Sequence, residues 1–70
     1  MKKNPSPLRR RRRALDLTLL DLSVALRRAK VSPCSVSSVH DWERNLRPIP
    51  DKALVVLARL LDCRPSEIAP

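Results

Sequence analysis

Residues 35–45 read Ser-Val-Ser-Ser-Val-His-Asp-Trp-Glu-Arg-Asn. Wound as a helix, this stretch turns Val36, Val39 and Trp42 to one side at every third position. It gathers Ser37, His40, Asp41 and Arg44 on the other. Hydroxyl, imidazole, carboxylate and guanidinium groups on one helical face can both donate and accept hydrogen bonds. That is the chemistry that reads base edges in a DNA major groove, which is wide enough to admit a helix. The same groups do not assemble a catalyst. His40 is the one histidine, and no carboxylate pair or nucleophile-and-base spacing accompanies it. With Cys34 and Cys63 the only cysteines, no zinc spacing can be written. Neither an enzyme, a metal nor a cofactor is expected.

The charge of the chain points the same way. Its net charge is +8. Residues 1–30 carry ten basic side chains against Asp16 and Asp21, while residues 31–70 carry five of each sign, so the whole excess lies in the first half. A cationic surface of this density suits a polyanion. Tyr and Phe are absent, which argues against single-strand binders that stack bases on aromatic platforms. No apolar run approaches the ~20 residues that span a bilayer. No signal-peptide core follows the basic start, so a cytoplasmic location without membrane attachment is expected. Both cysteines are expected to be buried as small hydrophobes.

The elements that must position the polar face are all helical. Residues 1–7, with Pro5 and Pro7 around a serine, read as a flexible arm whose Lys2 and Lys3 could reach a groove or have no role. Residues 8–70 form the domain. Leu8 to Leu15 reads as an arginine-dominated helix. Leu8 and Leu15 share its inner face with the stem of Arg12, and Arg11 runs along the core edge. Thr18-x-x-Asp21 is a capping box. It opens a second helix with Leu22 and Leu26 inward. Pro33 breaks the chain, and Ser35 is a good N-cap for the polar helix. Leu46 to Pro50 is a linker. Asp51 opens a helix through about Leu61 with Leu54, Leu57, Ala58 and Leu61 inward. Pro65 opens a last short turn. The expected core is Leu22, Leu26, Val39, Trp42, Leu54, Leu57 and Leu61. The fold class is an all-α bundle of about five short helices.

Two short helices joined by a turn, the second polar outside, followed by supporting helices, resemble the Cro and lambda-repressor-like (XRE) helix-turn-helix family. The resemblance rests on Leu17-Thr18, on Val39-His40-Asp41-Trp42-Glu43-Arg44-Asn45, on Arg47-Pro48-Ile49-Pro50-Asp51, and on Ala53-Leu54 with Leu57-Ala58-Arg59-Leu60-Leu61. It implies that the helix after Ser35 enters the major groove. Val36, Ser37 and Asp41 match the family's base readers, with His40 beside them. Val36 would touch a thymine methyl or, with the helix rolled, join the core. Asp41 would sit over base edges, accepting from cytosine N4, or pair with Arg44. Ser35, Ser38 and Thr18, at helix starts, suit phosphates. Arg44 and Arg47 match family positions that touch backbone. Glu43 matches an acid that braces the helix against an arginine of the first helix, here Arg12.

The sequence departs from the family in three ways. The Thr18-to-Glu43 stretch is several residues longer than the usual motif, read as a longer first motif helix and a looser turn. Its Arg27, Arg28 and Lys30 would add phosphate contacts. The chain has no glycine, so positive-φ turns would fall on Asp16 and Asn45, which tolerate that conformation, and on Lys30, which does so less readily. Arg11 fills a place often aliphatic. The expected function is sequence-specific binding of double-stranded DNA by a homodimeric transcriptional regulator, most simply a repressor on a pseudo-palindromic operator, with the last helices around Leu60 to Ile68 as its dimer surface. The rival expectations are an antitoxin-type protein that binds a toxin and its own promoter, and an interaction module for an acidic protein.

Overall fold

The structure, a computed structural model, describes residues 6–69. Among them are five helices and no strand: α1 (Pro7–Ala14), α2 (Leu19–Arg28), α3 (Val36–Glu43), α4 (Asp51–Leu60) and α5 (Pro65–Ile68). The chain is an all-α bundle. The expected arm falls mostly on residues 1–5, outside the described residues. Its last two positions are not arm. Ser6 is buried and caps α1, accepting the Arg9 N–H at 3.2 Å, and Pro7 is the first helical residue, where its missing N–H costs nothing.

Local signals account for the helix starts. Thr18 and Asp21 form the reciprocal capping box: the Thr18 N–H donates to Asp21 Oδ2 at 2.7 Å, and the Asp21 N–H to Thr18 Oγ1 at 3.1 Å. Ser35 caps α3, accepting the Ser38 N–H at 3.1 Å. Asp51 sits in the first turn of α4, and Pro65 opens α5.

The first four helices end alike. Asp16, Lys30, Asn45 and Asp62 each take φ between 53° and 58°, one residue past the cap. In each case the next residue's N–H reaches back five positions: Leu17 to Arg12, Val31 to Leu26, Leu46 to Asp41 and Cys63 to Ala58. This is the Schellman ending, usually built on glycine. Here a glycine-free chain makes it four times, on two aspartates, an asparagine and a lysine. The four reversals let short helices fold back on one another: α2 packs against α3 and α4, α4 against α5, and α1 against α3 and α5.

The core lies among these packings. Leu8, Leu22, Leu26, Val39, Trp42, Leu57 and Leu61 are buried, joined by Val31, Ala53, Ala58 and Ile68. Several expectations are corrected. Leu54 is only partly buried against the core, because the inward stripe of α4 runs Ala53, Leu57, Leu61, one position earlier, and Leu54 falls on its flank. Leu15 is 50% exposed, since it lies beyond the last turn of α1 where the chain turns away, and α1 buries Leu8 alone. Both cysteines are half-buried. Ile68 and Leu61 close the core, so of the residues expected to form a dimer surface, Leu60 is the large apolar one left exposed. α2 runs through Arg27 and Arg28, as expected, and a looser turn follows it; the Ser32–Pro33 bond in that turn is cis.

One buried hydroxyl ties that turn down. Ser23, 1% exposed on the inner side of α2, donates to the Cys34 carbonyl at 2.5 Å. A hydroxyl in a core needs a partner, and this one anchors the last residue before the Ser35 cap. The sequence reading missed it, because a serine among leucines reads as an outward position.

Candidate nucleic-acid interface

α3 is held from beneath and open above. Val39, Trp42 and Glu43 are buried, while Val36, Ser37, His40 and Arg44 are exposed and Asp41 is half-buried. Ser37, His40, Asp41 and Arg44 fall at i, i+3, i+4 and i+7, which is one face of a helix. Val36, 39% exposed, lies outside the core, so of its two expected places it takes the outer one.

The hydroxyls at the start of α3 are partly committed. Ser35 Oγ accepts the Ser38 N–H and donates its proton to Ser38 Oγ at 3.0 Å. Ser38 therefore keeps its own hydroxyl proton for an outside acceptor, and Ser35 does not.

The two acids of α3 are both compensated. Glu43 has a side chain only 3% exposed, facing Arg12 at 14%. The pair is bidentate: Arg12 Nε donates to Glu43 Oε2, and Nη2 to Oε1 at 3.0 Å. Arg12 Nη1 donates to the Leu17 carbonyl at 2.8 Å. One guanidinium thus ties α1, the entry to α2 and the underside of α3. The fork geometry of arginine makes this possible, and lysine could not hold three acceptors in one plane. Asp41 is not paired with Arg44. Its Oδ2 lies 3.6 Å from Nε of Arg47, because the Schellman turn at Asn45 folds the linker back alongside α3. With Arg47 72% exposed, this is a loose surface pair that solvent screens. Arg44 joins no salt bridge among the described residues.

A shallow depression between α1, α2 and α3 brings more cations to this side. It is lined by Arg9, Arg12, Leu19, His40, Glu43 and Arg44. Leu19 marks the amino end of α2, so Arg9, His40 and Arg44 stand around that end. Arg9 is the functional candidate that sequence reasoning missed. Its signal is that it stands three residues before Arg12, on the same face of α1. Not all expected phosphate contacts come together here. Arg28 lines a different groove, with Leu20 and Leu60. Arg27 and Lys30 are exposed at and just past the far end of α2, Arg27 about 12 Å along its axis from Leu19 at 1.5 Å per residue.

Shifted titrations lie elsewhere. The Arg64 backbone N–H, then the positive charges of Arg11 and Arg64, hold the Glu67 carboxyl below its usual value against opposing desolvation. Glu67 Oε1 also accepts from Arg11 at 2.9 Å, which clamps α5 to α1 and places Arg11 in an ion pair at the protein's edge. Burial pushes the Cys63 thiol up. Among the described residues no three metal-binding side chains cluster, and no helix is long and apolar enough to cross a membrane.

Comparison of the chain with protein-family models, with curated proteins and with solved structures gave no match.

Proposed function

We propose that this protein binds double-stranded DNA with α3 in the major groove, as a helix-turn-helix transcriptional regulator of Cro and lambda-repressor type. It acts in the cytoplasm, most simply as a repressor, and as a two-fold dimer on a pseudo-palindromic site. The observation that carries the reading is the outward stripe of α3. Ser37, His40 and Arg44 stand exposed and Asp41 half-buried along one side of a helix whose other side is anchored by Val39, Trp42 and the Arg12–Glu43 pair. Glu43 is held by Arg12 beneath the face and Asp41 has Arg47 within 3.6 Å, which reduces their repulsion of phosphates, and the chain around them carries +8. The amino end of α2, with Arg9 and Arg44 beside it, offers N–H groups and cations to the sugar-phosphate backbone. Ser37 and Asp41 read base edges, His40 and Val36 flank them, and Ser38 donates to phosphate. One short helix reads few bases, which is why two copies on two half-sites are needed.

Selection of bound duplexes from random DNA tests this. Wild type should enrich a motif with two-fold symmetry, and Ser37→Ala with Asp41→Ala should change the preferred bases. A pool that never enriches, or an unchanged preference in the double variant, would sink the reading. With six to ten phosphate contacts, affinity should fall by about 10³-fold or more from low to moderate salt.

A further inference from the structure

The side of α2 that faces away from the core borders a groove of its own. Leu20, Val24 and Leu60 supply its apolar wall, and Asp21 and Arg28 stand in the same lining. Leu20 is 58% exposed, a large apolar group with no cover. The inward side of α2 is taken up by Leu22, Ser23 and Leu26, so this outer stripe is free to dock without unpacking the core. Neither Asp21 nor Arg28 joins a salt bridge among the described residues. Asp21 uses Oδ2 on the Thr18 N–H, which leaves its other oxygen.

We propose that this face binds a second copy of the chain, α2 against α2, antiparallel about a two-fold axis. The charges argue for that occupant. Asp21 and Arg28 are seven residues apart, two turns along one face. A two-fold axis passing between Val24 and Ala25 brings Asp21 of each copy opposite Arg28 of the other. The same axis sets Leu20 against the small Ala29 of the second copy, with Val24 and Ala25 meeting at the centre. Every residue that α2 gives to the groove, and Ala29 at its cap, thus finds a complementary partner in its own sequence read backwards, as an isologous contact requires. A foreign partner would have no reason to match that arrangement. The rest of the molecule carries the positive excess, whereas this stripe carries one charge of each sign, so two copies meet here with least repulsion. None of the outward residues of α3 lines the groove, so the contact leaves that face open.

This inference deepens the two-fold reading above by naming its surface, yet it is measured without DNA. A contact of one helix face is small, so association is weak and visible as a concentration-dependent mass. Sedimentation equilibrium over a concentration series reads it, with circular dichroism melts to show that each variant is folded. Asp21→Lys and Arg28→Glu each place like charges at both symmetric pairs and should weaken self-association at least about tenfold. Mixed one to one, the two variants restore both pairs, Asp21 with Arg28 and Glu with Lys, and should form a heterodimer. Val24→Arg keeps the capping box of α2 and puts two cations on the axis, so it should be monomeric. A wild type that stays monomeric throughout, folded variants that associate as wild type does, or a mixture that does not restore association would each overturn the proposal. If the dimer stands and no DNA is selected, only the DNA reading fails.

Discussion

Breaking the Arg12–Glu43 pair should cost this small domain a large part of its stability. Glu43 is nearly sealed from water, and Arg12 holds it with two donors while the third holds the Leu17 carbonyl. Removing one partner leaves a charge with little water and no counter-ion, which costs about 3–5 kcal/mol. A domain of this length has a total stability of about 3–10 kcal/mol, at 0.05–0.15 kcal/mol per residue. Arg12→Ala and Glu43→Ala should therefore each remove about a third or more of the domain's stability. Arg12→Lys keeps the charge but loses the fork, and it should fall between wild type and Arg12→Ala. Replacing both residues with leucine removes both charges together and should recover most of the loss. Urea unfolding followed by the fluorescence of Trp42 measures all of this, because that tryptophan is the only one and is 2% exposed. If either alanine variant unfolds at the wild-type urea concentration, or if the double-mutant cycle shows no coupling, the bracing argument is wrong.

Three other outcomes follow from particular geometries. Lys30 pays about 1–2 kcal/mol for its left-handed backbone, and glycine returns about 0.4–1 kcal/mol of that through the freer unfolded chain. Lys30→Gly should thus raise the melting temperature by several degrees, whereas Asn45→Gly should gain less; a lowered melting temperature for Lys30→Gly would contradict this. The Glu67 carboxyl is depressed in the folded state, so its contribution is present above its unfolded value near 4.5 and is lost as pH falls through the folded one. Glu67→Gln should flatten the acid limb of a plot of melting temperature against pH, and an unchanged limb would show that Glu67 does not contribute. Arg9→Gln should lower the slope of log affinity against log salt by about 1 without altering the selected sequence, as expected for a lone phosphate contact; a changed base preference would move Arg9 into base reading.

The sequence by itself determined where α2, α3 and α5 begin. Thr18 with Asp21, Ser35, and Pro65 act within three or four residues, so their effect does not wait on the fold. It also pointed to the left-handed turns at Asp16, Lys30 and Asn45, since a chain without glycine must place them on whatever residue ends the helix; Asp62 obeys the same rule and went unread. It separated the anchored side of α3 from the polar side, because a period of three to four residues survives in any packing. The tertiary structure decided how each helix is rolled and which distant groups meet. Periodicity leaves a stripe uncertain by one position, and α4 turns Ala53 inward where Leu54 fits the pattern equally well. Asp41 meets Arg47, Ser23 meets the Cys34 carbonyl, and Arg11 meets Glu67 because chain reversals carry them there. Arg9 stands beside Arg44 and the start of α2 for the same reason. No local preference encodes those neighbours, since they exist only once the helices and their turns have packed.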